Sequence, residues 1–161
     1  MRFVPRLSAF GRKLRSAMRL NLSLLALVLL AWLLIGAADV LIWLIPYRRL
    51  MPLFGRPSPM PFIAPHLSDR LVNRARRIRN VIDIAARNAP FRADCYPQAL
   101  TAMALCRVFR CPADLFFGAR PTDDAANPIA GHAWVVSGSV TVCGGADSFV
   151  RYPILAHHAI P

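Results

Sequence analysis

Cys95 is the residue whose place in the sequence best suits covalent chemistry. It follows Asp94, a plausible helix cap, and precedes Pro97, which is tolerated in the first turn of a helix. A cysteine there lies beside unpaired backbone amides and the positive end of the helix dipole, which favour the attacking thiolate. The same amides can later hold an oxyanion. The sequence therefore predicts Cys95 as a nucleophile.

His132 is the candidate general base for this thiol. It begins an expected strand directly after Gly131, so its imidazole could face a helix N-terminus across a cleft. A cysteine at a helix start, followed in the chain by a histidine at a strand start, is one of the arrangements used in nucleophilic catalysis. A lone histidine is more often structural, and both interpretations are open at this point.

The other three cysteines, Cys106, Cys111 and Cys143, lack such a position. Cys106 falls well inside the expected helix and Cys111 follows its end. No C-x-x-C motif occurs, no Cys/His cluster has zinc-site spacing, and the composition is not that of a disulfide-dense secreted scaffold. We expect reduced thiols, no metal site and no cofactor.

The elements that must position these residues are helices first and strands afterwards. We expect a helix from Ser68 to before Pro90, a helix from Cys95, a strand over 114–118, a hairpin over 132–142 and an edge strand over 152–155, with His157 and His158 exposed. The helical assignments follow from apolar residues at three- and four-residue intervals, and the hairpin from a turn at Ser137–Gly138. This order predicts an α+β fold, with helices packed on a small antiparallel sheet.

The chain before this domain divides into segments of very different character. Residues 1–19 carry six basic residues and no acid, and residues 20–38 carry no charge. The apolar stretch 20–46 is long enough to cross a bilayer. A cleaved signal peptide and an interfacial helix packed on the domain are the alternatives, and Asp39 favours the second. A Pro-rich linker over 47–67, irregular over 52–65, then leads to the domain 68–161.

The net charge of +12 raises the question of a polyanionic partner. The chain has no zinc finger, RNP motif or helix-turn-helix signature, so we expect no nucleic-acid partner. Lys13 is the only lysine, which indicates an arginine-rich composition in general. Four arginines on one face of the expected Ser68 helix are interpreted as a solvated face rather than a lipid site. Membrane lipid remains an expected partner of the apolar segment.

Four pieces of the sequence, in order, resemble a known family. They are DCYPQALTAMAL, LFFGAR, GHAWV and VTVCGGADSFVRYPILA, with LIPYRRLMPLFGR upstream. Together they are similar to the transglutaminase-like leader peptidases of lasso-peptide biosynthesis, the B2 group, loosely over residues 40–156 and well over 90–156. The resemblance implies a papain/transglutaminase-like fold preceded by an apolar N-terminal helix, and a Cys-His-Asp mechanism with Cys95 and His132 in the first two roles.

The same resemblance implies partners and a third catalytic residue. The substrate would be a ribosomally made precursor peptide, with a separate leader-recognition protein, an ATP-dependent cyclase and a cytoplasmic catalytic domain at the membrane. Many relatives place an orienting aspartate at the end of the hairpin's second strand, where this chain has Cys143–Gly144–Gly145. Asp147 or a backbone carbonyl would therefore have to orient the histidine, with Asp94 as an alternative that better suits a cap. Gln98, Gly131 and Trp134 are the expected substrate contacts, although Trp134 also suits a core position. A non-catalytic peptide-binding scaffold is the alternative.

Overall fold

The computed structural model describes residues 22–58, 62, 64–91 and 93–160, and the basic segment 1–19 lies outside them. The helices are α1 (Leu22–Leu44), α2 (Tyr47–Phe54), α3 (Asp69–Arg87), α4 (Cys95–Val108) and α5 (Ser148–Arg151). The strands are β1 (Arg56–Pro57), β2 (Ala113–Pro121), β3 (Ile129–Ser137), β4 (Val140–Cys143) and β5 (Ile154–Ile160). The predicted α+β arrangement, with an apolar helix before the domain, is confirmed.

Helix α1 lies against the domain along one stripe and exposes the rest of its surface. Its buried residues are Val28, Ala31, Ile35 and Ala38, spaced so that they share one helix face. This face packs on α3 and α4. The other faces are also apolar, with Leu22 82%, Leu33 61% and Trp43 85% exposed. A single helix of this length and composition is compatible with membrane association and does not by itself establish it.

The sheet has the order β1-β5-β2-β3-β4, and every neighbouring pair is antiparallel. Because side chains alternate along a strand, its two faces carry different cores. Leu115, Ala133 and Val135 point to the face that packs against α3 and α4. Phe116, Trp134 and Val136 point to the opposite face, where Phe62 and Tyr152 pack on them.

Two expectations were wrong, one for the Pro-rich segment before the domain and one for the C-terminal strand. The Pro-rich stretch is not wholly irregular, because α2 continues through Pro52 to Phe54 and Arg56–Pro57 pairs with β5. The C-terminal strand is longer than predicted, and its register with β2 carries His157 and His158 into the sheet. They are only 6% and 8% exposed, because strand pairing and aromatic neighbours cover them.

The buried pair Asp114–His157 gives a prediction for the pH dependence of stability. Oδ1 of Asp114 lies 2.9 Å from Nε2 of His157, and burial raises the pKa of this carboxyl despite that partner. The folded state therefore holds the proton more tightly than the unfolded state, and the stability it contributes falls as pH rises. In denaturant titrations at a series of pH values, Asp114→Asn should gain stability relative to the parent from about pH 4 towards neutrality.

Asp124→Asn is the control of opposite sign. The hydrogen bonds from Asn127 and from the backbone amide of Ala126 lower the pKa of Asp124. Its carboxylate therefore contributes stability that is lost as the solution is acidified. Relative to the parent, this variant should lose stability as pH rises through the acid range. Parallel pH profiles for the two variants would contradict the assignment.

Candidate active site

Cys95 is the first residue of α4 and is partly exposed. Asp94 occupies the N-cap position with an extended backbone, and its carbonyl accepts the amide of Gln98 at 3.3 Å. The thiol therefore stands at the N-terminus of a helix, beside the backbone of its first turn.

The other thiols of the chain are buried and unsuited to attack. Burial raises the pKa of the Cys143 thiol to about 12, and the nearby thiol of Cys95 contributes to this. A hydrogen bond with Cys111, followed by burial, raises the pKa of Cys106. Cys111 is 1% exposed, and its Sγ lies 3.2 Å from Oγ of Ser137. Among the four cysteines, Cys95 alone combines access with an activating position.

Gln98 and Gly131 have simple local environments. Nε2 of Gln98 donates to the carbonyl of Ala93 at 2.6 Å, which ties the side chain back to the segment before α4. Gly131 is exposed, and a Cβ built there meets nothing within 4 Å. Gln98 is half-buried, and the predicted role of both residues as substrate contacts stays a prediction.

The ring of His132 is held on one side by hydrogen bonds. Its Nε2 lies 2.7 Å from the carbonyl oxygen of Gly144 and 3.2 Å from Oγ of Ser148. A carbonyl can only accept, so Nε2 carries a proton, and in the neutral ring Nδ1 has the free lone pair. The ring also stacks on Tyr152, with centroids 4.6 Å apart. Nδ1 is therefore the atom that can serve as a base.

Trp134 lies beneath His132 and is fully buried. The two rings stack with centroids 5.8 Å apart, and Phe116 stacks on Trp134 at 5.5 Å. In this conformation Trp134 supports the histidine from below, and a substrate cannot touch its side chain. The core position allowed by the sequence is therefore the one observed.

Gly144 supplies the carbonyl that His132 contacts. Its φ is +94°, and an added Cβ would collide with Trp134, so only glycine suits this backbone. Ser148, the first residue of α5, fixes the loop, with Oγ 2.8 Å from the carbonyl oxygen of Gly144 and 2.9 Å from that of Gly145. Sequence reasoning missed Ser148, and no motif singled it out.

Asp147 does not hydrogen-bond His132. Its carboxylate is 61% exposed and lies 3.1 Å from Nη1 of Arg151. The hydrogen bond from Arg151 lowers the pKa of Asp147, and the nearby His132 contributes to this. The carboxylate is thus close enough to influence the imidazole through space, while Gly144 makes the direct contact. Asp147 as the third catalytic residue stays a prediction.

Cys95 and His132 approach the same end of β3 from different faces of the sheet. Tyr96, next to the thiol, contacts Phe117, whose partner on β3 is Ala133. His132 lies one residue further along, on the face of Trp134. The pairing of β4 with β3 begins only at Val135, which leaves the edge of β3 before it free of β4. No hydrogen bond joins the two residues in the described part of the chain, so their pairing also stays a prediction.

The sequence profile of the Transglutaminase-like superfamily matches residues 41–156, which is most of the chain. The chain belongs to this superfamily. The matched region begins inside α1 and includes α4, β3 and the loop at Gly144, so the superfamily domain contains the whole candidate site. No curated protein and no solved structure matches the chain significantly.

Ser148→Ala tests whether the Ser148 side chain stabilises the loop at Gly144 and Gly145. Ser148 is 1% exposed, and its hydroxyl proton bonds the Gly144 or the Gly145 carbonyl, so its removal takes away one hydrogen bond that closes this loop. We expect a loss of about 1 kcal/mol in the free energy of unfolding, measured by denaturant titration. Ser139→Ala, in the exposed hairpin turn, should change it by less than about 0.5 kcal/mol. Equal effects would contradict the role of Ser148.

Proposed function

We propose that the chain is a cysteine peptidase that cleaves the leader from a ribosomally made precursor peptide, as in lasso-peptide maturation. The superfamily fold, with its cysteine-peptidase-like character, supports the general chemistry. The resemblance of the four sequence pieces to the lasso-peptide leader peptidases supports the substrate class. The observation that carries the proposal is the accessible thiol of Cys95 at the start of α4.

In the proposed mechanism His132 accepts the thiol proton at Nδ1. The Cys95 thiolate attacks the peptide carbonyl carbon, and backbone amides at the start of α4 hold the oxyanion. Nδ1 returns the proton to the leaving amine as the C–N bond breaks and a thioester remains. Water then loses a proton to Nδ1 and attacks the thioester, the C–S bond breaks to release the new carboxyl group, and Nδ1 returns the proton to the Cys95 thiolate. Throughout, Nε2 stays bonded to Gly144, which holds the ring.

This proposal requires Nδ1 of His132 to reach the Cys95 sulfur past the part of β3 that β4 does not pair, while Nε2 keeps its hydrogen bond to Gly144. In the observed geometry the ring lies on the Trp134 face, whereas α4 packs on the Ala133 face. The glycine at 131 leaves open space at this edge, and the bound peptide would occupy it. A precursor peptide, a separate leader-recognition protein, an ATP-dependent cyclase and a cytoplasmic active site belong to the same proposal.

Alkylation of the purified full-length protein tests the thiol. Iodoacetamide at neutral pH should modify Cys95 faster than the three buried cysteines, as mapped by mass spectrometry of peptides. His132→Ala should slow this labelling if Nδ1 activates the thiol, and Gly131→Ala should leave it unchanged. Labelling of Cys95 at the same rate in the parent and in His132→Ala would argue against a catalytic pair.

A second candidate function is a non-catalytic peptide-binding member of the fold. It is favoured by the carbonyl that replaces a carboxylate beside His132, because a carbonyl stabilises an imidazolium less than a carboxylate does. Binding of a precursor peptide to the parent and to Cys95→Ala with equal affinity, without cleavage in either, would identify this function. Cleavage by the parent alone would identify the peptidase.

A further inference from the structure

A cleft of about 720 Å³ separates α1 from α3 and the end of α4. Its walls are apolar, formed mainly by Leu27 and Leu30 of α1, Ile78 of α3, Leu105 of α4 and Phe109 at the C-terminal cap of α4. The cleft is partly open to solvent. A cavity of this shape and chemistry accepts a hydrocarbon chain more readily than a polar ligand.

Arginines surround this apolar cleft. Arg70, Arg74 and Arg77 of α3 line it, and no residue that lines it is acidic. Nη2 of Arg77 lies 3.5 Å from Oγ of Ser23 on α1, so this side chain bridges the two helices. Nη1 of Arg74 donates to the carbonyl of Phe109 at 2.6 Å. Cationic donors beside an apolar slot complement a ligand that has an anionic head and an acyl tail.

The cleft is continuous with the exposed apolar surface of α1. Leu30 lines the cleft and is 42% exposed, and Leu22, Leu29 and Leu33 of the same helix are also exposed. An apolar surface of this length in a basic chain indicates contact with a membrane. The arginines of α3 would then lie at the depth of the lipid headgroups, where anionic phosphates are concentrated.

We propose that this cleft binds one anionic phospholipid of the membrane. An acyl chain lies between α1 and α3, and the phosphate is held by Arg70 and Arg77. The sequence alone favoured a solvated face for Arg74, Arg76, Arg77 and Arg79. The packing of α1 changes that interpretation, because it places an apolar slot directly beside them. The bound lipid therefore joins α1 to the rest of the domain. Its binding does not depend on any peptidase activity.

Lipid titration of the full-length protein in a neutral detergent tests the site. Native mass spectrometry should detect one bound phosphatidylglycerol and at least about tenfold weaker binding of phosphatidylcholine. The variant Arg70→Glu/Arg77→Glu should weaken phosphatidylglycerol binding by at least about tenfold. The matched control is Arg56→Glu/Arg151→Glu, which makes the same charge change on residues that do not line the cleft and should bind like the parent.

Ala26→Trp tests the apolar half of the site. Ala26 is exposed and lines the cleft, so a tryptophan there fills the space with little effect on folding, and lipid binding should fall. Three results would each overturn the proposal. They are equal affinity for the two lipids, an equal loss of phosphatidylglycerol binding in the two double arginine variants, and unchanged phosphatidylglycerol binding by Ala26→Trp. Displacement of phosphatidylglycerol by an equal concentration of inorganic phosphate would also overturn it, because the site would then recognise phosphate alone.

Discussion

Cys95→Ala is expected to abolish cleavage of the precursor peptide, with a loss of roughly 10³-fold or more in kcat/KM. The thiol is the nucleophile of the proposed mechanism, and the buried thiols cannot replace it. The half-buried position at a helix start tolerates alanine, so folding should be retained. Cleavage is measured by mass spectrometry of the precursor, with the leader-recognition protein present.

Cys111→Ala is the matched control, because it also removes a thiol but lies between α4 and β2, away from the start of α4. It should retain cleavage under conditions in which circular dichroism shows it folded. A Cys95→Ala protein that still cleaves within a few-fold of the parent would end the peptidase proposal. If neither the parent nor the variants cleave, but all bind the peptide, the scaffold function is the correct one.

The second large effect is expected at Gly144. Gly144→Ala places a Cβ against Trp134 and also forces an L side chain to a φ of +94°. Backbone strain and a steric clash act together, so we expect a loss of about 3 kcal/mol or more in the free energy of unfolding. Denaturant titration of the parent and the variant measures this loss.

Gly131→Ala is the matched control for this experiment. Gly131 also lies close to His132, but a Cβ there meets nothing within 4 Å. This variant should change the free energy of unfolding by no more than about 1 kcal/mol. If both variants are equally stable, the loop at Gly144 does not have the conformation described, and the carbonyl contact to His132 would lose its basis.

Local patterns predicted the architecture well where one face of an element is buried. The helices α3 and α4 and the hairpin of β3 and β4 were predicted close to their observed positions, because apolar periodicity and turn residues are local signals. The length of β5 and the pairing of Arg56–Pro57 were not predicted. Both depend on pairing with strands that are far away in the sequence. The prolines in or beside the paired residues also argued against a strand there.

Sequence reasoning named the candidate residues Cys95 and His132, but it did not predict how their surroundings are arranged. The position of Cys95 at a helix start follows from its sequence neighbours, and the structure places it there. That Gly144 would offer a carbonyl to Nε2 depends on a turn with positive φ, which a pair of glycines permits but does not specify. The face of β3 that carries His132 depends on strand register, which one sequence fixes only weakly.

The short strand β1 has a consequence for the solubility of the domain. It covers the outer edge of β5, and Pro57 within it has no amide proton to offer a further strand. A fragment that starts after Ser58 would leave the outer edge of β5 at His158 and Ala159 without its partner. We expect such a fragment to self-associate through intermolecular strand pairing, visible as concentration-dependent light scattering in a neutral detergent that keeps the intact chain dispersed.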